Sequence, residues 1–390
     1  MIKTSKRTIK LAILFYSLVQ IGAICIISIL AKIKELFPEY SITVIQFLGT
    51  CPSVVIIFMS LLTGKLVEHI SKKFLAMFSA SLFLVAALGG FFFHGSLLLL
   101  FVWQIILGMG IGILVPLGSS LITVYFTGEE RSSLMGLQSA IISVGGVLLS
   151  LFSGLLAMID WYFSYLALLL VIPGFLLLLF GLPFDRPVHA AKTNGVRARV
   201  TPKVVLFYGL TAFLFMMFYN VISTNLSLHL IENDITGSVN SGIATAVFML
   251  SGAVAGVLFR FFKRFLGERV IALGFLNLSV GALITGAAKG YSLVLVGVFI
   301  AGFSLSIVMA QVVISIAERE KSAVVTMSIA MNMAINNLGA FLSPSFTKLT
   351  ILITGSDRAS VRYLLVGILG IMVAIALFFI LGRQRTRTNE

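Results

Sequence analysis

The chain is poor in charge, in acidic residues above all, and in the side chains that usually form catalytic or metal sites. Only 11% of its 390 residues are charged, and Asp and Glu together number 14. A soluble domain carries roughly 25% charged residues, so this composition excludes an ordinary water-exposed surface. Two cysteines and four histidines supply neither a disulfide framework nor a metal-ligand spacing. We therefore expect no enzyme active site and no cofactor.

The chain is rich instead in long apolar segments. Hydrophobic residues make up 59% of it, and the mean hydropathy is +1.11. A helix crosses the bilayer with about 20 apolar residues. Charge clusters and turn residues predict twelve such spans, at 11–31, 41–63, 74–93, 97–125, 133–158, 162–183, 204–230, 238–262, 270–288, 292–316, 322–351 and 361–382. The first is longer than the apolar core of a secretory signal, so we expect it to be retained.

Basic residues are distributed unevenly between the two predicted sides. With the N-terminus in the cytoplasm, 22 of the 28 Lys and Arg residues fall on the cytoplasmic side, as the positive-inside rule requires. We therefore expect both termini in the cytoplasm and a location in the plasma (inner) membrane. Topology then explains the net charge of +14, and we expect no nucleic-acid partner.

The longest polar interruption, 184–203, divides the predicted spans into six and six. Equal halves joined by a polar linker indicate an internal duplication. The predicted domains are an N-terminal half at 1–183, the linker, and a C-terminal half at 204–390. The expected fold class is an all-α integral membrane protein, with 12 transmembrane helices in two pseudo-symmetric six-helix halves. We expect it to be a monomer.

The loop after the second predicted span carries a family pattern. That pattern is a glycine, an aspartate four residues on, a basic residue, a glycine and a basic pair. The matching positions here are Gly64, Glu68, His69, Ser71, Lys72 and Lys73. On these residues the chain resembles the major facilitator superfamily of secondary transporters, and most of all its small bacterial efflux members. The resemblance extends over essentially the whole length and implies that fold.

The resemblance also implies a gate formed by Gly64, Glu68, Lys72 and Lys73. Gly64 would let neighbouring helices approach closely, as small residues do in membranes. Glu68 would pair with a cation or a helix N-terminus in one conformation only. The alternative for Lys72 and Lys73 is that they simply anchor the topology.

Two departures argue against a proton-coupled drug antiporter. Proton-coupled members often carry an arginine in the fourth span, where this chain has Gln104. Many drug–proton antiporters have a Gly-Pro signature in the fifth span, but 133–158 contains no proline.

Amides inside the predicted spans are the candidate substrate-binding residues. We expect no buried acid and no buried arginine, with Arg362 assigned to the outside, so amides are the main polar groups in the spans. The candidates are Gln20, Gln104, Asn220, Gln311, Asn332 and Asn336. The first four come from spans that line the central cavity in the resembled fold, and the last two share one helical face. The alternative is hydrogen bonding between helices.

These features predict a secondary transporter that moves a small neutral, zwitterionic or lipophilic molecule by alternating access, with efflux as the first expectation. Uptake or export of a small polar metabolite is the alternative. A lipid-modifying membrane enzyme would need acids, histidines or metal ligands clustered near one interface, and the equal halves argue against a channel. The expected partners are the substrate and the bilayer. A coupling proton is left open, with Glu68, Glu232 and Asp234 as the acids to neutralise first.

Overall fold

The computed structural model describes residues 6–67, 69–182, 201–234, 238–320 and 325–387. Within these ranges the regular elements are helices, and no strand is present. The α-helices are α1 (Lys6–Ser17), α2 (Ile24–Ile27), α3 (Leu30–Leu36), α4 (Ile42–Leu66), α5 (Lys72–Phe92), α6 (Leu97–Tyr125), α7 (Gly128–Leu156), α8 (Val171–Gly181), α9 (Pro202–Glu232), α10 (Ser238–Leu266), α11 (Val270–Ala287), α12 (Tyr291–Arg319), α13 (Val325–Thr354) and α14 (Ala359–Arg387). Two 3₁₀ helices, Trp161–Leu170 and Gly267–Arg269, precede α8 and α11.

Many of these helices have the length and surface of membrane spans. Nine stretches within the described ranges are long and apolar enough to cross a bilayer. One of them, Val239–Ala287, has 49 residues and covers both α11 and nearly all of α10. Large apolar side chains such as Phe180 and Val257 are exposed, as expected of a surface that faces lipid. The predicted all-helical membrane fold is confirmed, while the number twelve stays a prediction.

The first predicted span is interrupted. α1 ends at Ser17, and residues 18–23 form turns before α2 begins. Backbone hydrogen bonds here join residues three apart, since Gln20 N–H donates to the Ser17 carbonyl at 3.2 Å and Gly22 N–H to that of Val19 at 2.9 Å. Such 3₁₀ geometry inside a helix often marks a hinge. The first predicted span is thus a broken helix rather than a continuous one.

Internal packing divides the chain into two compact units, Met1–Gly195 and Val196–Glu390. In the N-terminal unit α4 and α5 pack on α6, and α1 packs on α8. In the C-terminal unit α11 packs on α12 and α14, and α13 packs on α9. Glycines allow some of these helices to lie very close together. A Cβ on Gly108 of α6, for example, would lie 2.9 Å from the Pro52 Cα of α4.

Candidate functional site

In the N-terminal unit, α7 supports the broken first span with polar contacts. The Gln138 amide nitrogen donates to the Ser17 hydroxyl at 2.9 Å, where α1 ends. Further along, the Ser153 hydroxyl donates to the Cys25 carbonyl at 2.7 Å. Irregular backbone inside a membrane is tolerated where protein covers its polar groups. These two contacts attach α7 to the first span on either side of the break.

Between those contacts the break rests directly on α7. Gly145 is buried, and a Cβ on it would lie 2.7 Å from the carbonyl carbon of Leu18. The close approach therefore requires glycine at this position. Gln20 lies in the break and is partly exposed. Transporter substrate sites are often built at discontinuous helices, whose free backbone groups add to the side chains. The position of Gln20 suits a substrate contact.

Gln104, by contrast, is enclosed. Its side chain on α6 is fully buried, and neither its amide nitrogen nor its amide oxygen has a hydrogen-bond partner among the described residues. The buried Tyr165 hydroxyl lies nearby without a hydrogen bond of normal geometry. Unlike Gln20, Gln104 is therefore enclosed, with both ends of its amide unpaired within the described residues.

The predicted gate is only partly described, because Glu68 lies outside the described residues. A Cβ on Gly64 would meet no described atom within 4 Å, so the close helix approach expected there is not observed. Lys72 and Lys73 begin α5 and are both buried. The Lys73 ammonium donates to the Leu179 carbonyl at 2.7 Å, near the end of α8, where a positive charge is favourable.

Two of the candidate amides in the C-terminal unit bond within their own helices. The Asn220 amide nitrogen donates to the Met216 carbonyl of α9 at 2.9 Å. The Gln311 amide nitrogen donates to the Ser315 hydroxyl of α12 at 3.0 Å, which leaves the Gln311 amide oxygen buried and unpaired among the described residues. Only half of the Gln311 amide is therefore hydrogen-bonded.

Asn332 and Asn336 lie one turn apart on α13, as their spacing predicts. The Asn336 amide nitrogen contacts the Met309 sulfur of α12 at 3.6 Å, a weak hydrogen bond. The Asn336 amide oxygen and the Asn332 amide nitrogen are buried without a partner in the described part of the chain. An unpaired donor and an unpaired acceptor therefore lie close together on one helix face. We call these two residues the Asn pair.

Arg362 is fully buried near the start of α14, so the expectation of no buried arginine is wrong. Its guanidinium donates to the Asn225 amide oxygen at 2.6 Å and to the Asp357 carbonyl at 2.7 Å, and it pairs with the Asp357 carboxylate. The prediction failed because a single arginine at the end of an apolar run looks like a topology marker. A buried charge must be paired. The partners of Arg362 come from α9 and from the loop that precedes α14.

Of the two acids predicted for the outer end of the seventh span, only Glu232 has a structural role within the described residues. Both carboxylate oxygens of Glu232 accept a hydrogen bond from the Ala359 N–H, at 2.9 and 2.8 Å. Glu232 thus caps the first turn of α14, where a negative charge is favourable. Asp234 is exposed, with a φ of 59° just after α9. Asp tolerates this left-handed conformation better than most residues.

A second charged network ties the other end of α9 to its neighbours. Arg319, the last residue of α12, makes a bidentate pair with Glu268, including a hydrogen bond of 2.8 Å. The Tyr208 hydroxyl donates to the Glu268 carboxylate at 3.3 Å and accepts a bond from Arg319. Bidentate arginine pairs are strong and geometrically specific. Together with the contacts of Arg362, this network holds α9 at both ends.

Comparison with known proteins gives a family and a fold. The sequence model of the Major Facilitator Superfamily matches residues 11–259. Protein TsgA of Shigella dysenteriae is 30% identical over 140 residues, which cover 35% of this chain and 36% of that protein. The TsgA homolog of Buchnera aphidicola is 30% identical over 138 residues, 35% of this chain and 34% of that protein. The chain thus spans about a third of the length of the curated relatives it matches.

Solved structures of transporters match over nearly the whole chain. A variant of the peptide transporter POT in complex with alafosfalin gives a TM-score of 0.78 at 11% identity, over 96% of this chain and 94% of that one. A D-xylose-proton symporter gives 0.76 at 16% identity, over 95% and 97%. The nucleoside transporter NupG, as a variant, gives 0.75 at 13%, over 95% and 98%.

Proposed function

The chain belongs to the major facilitator superfamily, which makes it a multi-pass secondary transporter rather than an enzyme, and we propose that it carries a small neutral, zwitterionic or lipophilic molecule. In this proposal it works by alternating access, opening its binding site to one side of the membrane at a time. It acts as a monomer in the plasma (inner) membrane, with both termini in the cytoplasm. Export is the proposed direction.

The Asn pair carries the proposal. Residues four apart on a helix are separated by about 6 Å along its axis, so the Asn332 donor and the Asn336 acceptor can engage one small molecule. Buried amide groups without partners are costly inside a membrane, and a substrate would satisfy them. The free amide oxygen of Gln311 and the position of Gln20 support further contacts. Gln104, whose amide is also buried and unpaired among the described residues, is a further candidate, whereas Asn220 contributes less because its amide nitrogen bonds within its own helix.

The charge of the substrate follows from how Arg362 is satisfied. Its buried guanidinium is paired with the Asp357 carboxylate and bonded to Asn225. Because this charge is already balanced, it does not call for an anionic substrate. An unpaired buried arginine would do so.

A second candidate function is uptake or export of a small polar metabolite. The unpaired donor and acceptor of the Asn pair would suit hydroxyl or peptide groups. Solved structures with the same fold include a peptide transporter, a D-xylose-proton symporter and a nucleoside transporter. A growth-inhibition panel in a host without its own pumps, run beside metabolite uptake in the same cells, separates this function from export of lipophilic compounds.

Transport in proteoliposomes tests the substrate class and the Asn pair together. A panel of neutral, zwitterionic and lipophilic compounds is assayed with and without a proton or sodium gradient. Asn332→Ala and Asn336→Ala should each raise the KM for the transported compound by about 5- to 10-fold, since a lost hydrogen bond costs about 1 kcal/mol. Asn337→Ala is the control, because the Asn337 amide bonds to the Met333 carbonyl of its own helix at 2.8 Å. Selective transport of an inorganic anion or a polycation, or unchanged KM values in both variants, contradicts the proposal.

Coupling to protons is tested at the boundary acids. Glu68→Gln, Glu232→Gln and Asp234→Asn remove one charge each, and Glu232→Gln keeps an oxygen to cap α14. If proton-driven transport survives all three, the coupling site lies elsewhere.

In this proposal Gly64, Glu68, Lys72 and Lys73 form the gate on the cytoplasmic side. Glu68→Gln should then change the transport rate more than the stability.

A further inference from the structure

An apolar groove with a volume of about 370 Å³ runs along the surface of the C-terminal unit between α11 and α14. Its walls are formed mainly by aliphatic and aromatic side chains, among them Leu273, Leu276, Ile375, Phe378 and Phe379. Several of these are well exposed, Phe379 at 64% and Ile375 at 54%. The volume falls within the range of small-molecule sites.

One end of the groove carries a positive charge. Arg269 lines it, and its guanidinium lies over the Phe378 ring, 4.6 Å from the ring centre. Gly382 makes room for this arrangement, because a Cβ there would lie 3.1 Å from the Arg269 Cζ. The arginine is therefore held against the end of α14 rather than extended into solvent.

The charge of Arg269 has no counterion among the residues that the structure describes. Its Nε is buried without a hydrogen-bond partner there. The adjacent acid, Glu268, is occupied by its bidentate pair with Arg319. An anionic group could therefore bind Arg269 without first breaking an ion pair.

We infer that this groove binds an anionic phospholipid, with the headgroup phosphate on Arg269 and an acyl chain between α11 and α14. From Arg269 to Leu276 the groove extends about 10 Å along α11, at 1.5 Å per residue, away from the charged end. Basic pockets between transmembrane helices on the cytoplasmic side are typical sites for anionic headgroups. Charge and shape together thus favour a lipid over a free anion, which would leave the apolar walls empty.

Lipid binding to the full-length purified protein tests this. Retention of phosphatidylglycerol is measured by native mass spectrometry in a detergent background, with phosphatidylcholine as the neutral reference. The wild type should retain phosphatidylglycerol preferentially, and Arg269→Gln should weaken its apparent affinity about 5-fold, the effect of one basic residue near an anionic surface. Arg264→Gln is the matched control, since Arg264 is exposed and does not line the groove.

Two further experiments separate the contribution of the lipid headgroup from that of the acyl chain. Gly382→Ala keeps the arginine but crowds its guanidinium, so it should weaken binding as well, and it serves as the test if Arg269→Gln does not fold. Glycerol phosphate, which has the charge without the chain, should not compete at the same concentration. Equal retention of phosphatidylcholine, equal competition by glycerol phosphate, or an equal loss in Arg264→Gln overturns the inference.

Discussion

The buried arginine of α14 leads to a prediction about two substitutions made singly and together. Arg362 has 0% of its side chain exposed, whereas its partner Asp357 has 62% exposed. Asp357→Asn therefore leaves the buried guanidinium without its paired carboxylate, and only the neighbouring charge of Glu232 offsets it. Breaking a buried pair in this way costs roughly 3–5 kcal/mol. Because Asp357 also contacts water, we expect a smaller loss of unfolding free energy, about 2–3 kcal/mol.

Adding Arg362→Met to Asp357→Asn should restore part of that loss. Methionine fills much of the volume and needs no counterion, while the Asn225 amide oxygen loses its donor at a cost of about 1 kcal/mol. The double variant should therefore be more stable than Asp357→Asn alone, by about 1 kcal/mol.

Equilibrium unfolding in mixed detergent micelles, followed by circular dichroism, measures these differences. Arg358→Gln is the control, because Arg358 is exposed and next to the aspartate, and it should change stability by no more than about 0.5 kcal/mol. A double variant as unstable as the sum of the two single variants would refute the assignment of Arg362 as a charge held by Asp357.

Two other substitutions test the N-terminal unit by the same unfolding assay. Gly145→Ala should destabilise by about 1–3 kcal/mol, because its Cβ would overlap the backbone of the first span, whereas Gly95→Ala, where a Cβ meets nothing within 4 Å, should be nearly neutral. Lys73→Met removes the charged donor from the Leu179 carbonyl and should cost about 1.5–3 kcal/mol. Lys65→Met, at an exposed lysine, should cost almost nothing, and an equal effect of both lysines would show that the contact is unimportant.

Composition and one loop were sufficient to predict the class of protein. The apolar runs predicted a helical membrane fold, and Gly64 to Lys73 pointed to the family, and both are confirmed. These signals are local, since they depend on hydropathy over about 20 residues or on a short motif. They can be recognised in a sequence without knowledge of tertiary contacts.

The polar details depend on residues far apart in the chain, which is why they were missed. The Gln138–Ser17 hydrogen bond joins positions 121 residues apart, and Arg362 bonds to Asn225 across 137. In neither pair do the two residues form a recognisable sequence motif. A pair of signals was nevertheless present: Gln138 is an amide in an apolar run, and Arg362 falls inside the predicted span 361–382. The six candidate amides stay predictions.

The contrast between the broken first span and α9 bears on how each tolerates mutation. α9 is continuous for 31 residues and tethered by charged networks at both ends, so substitutions at its ends should reduce the amount of folded protein. The turns at 18–23 lack the regular hydrogen bonds of an α-helix, so a substitution at the partly exposed Gln20 should spare abundance and alter turnover. If the two halves descend from one ancestor, these two equivalent spans have come under different selection. α9 has been selected for rigidity, and the first span for the ability to change conformation.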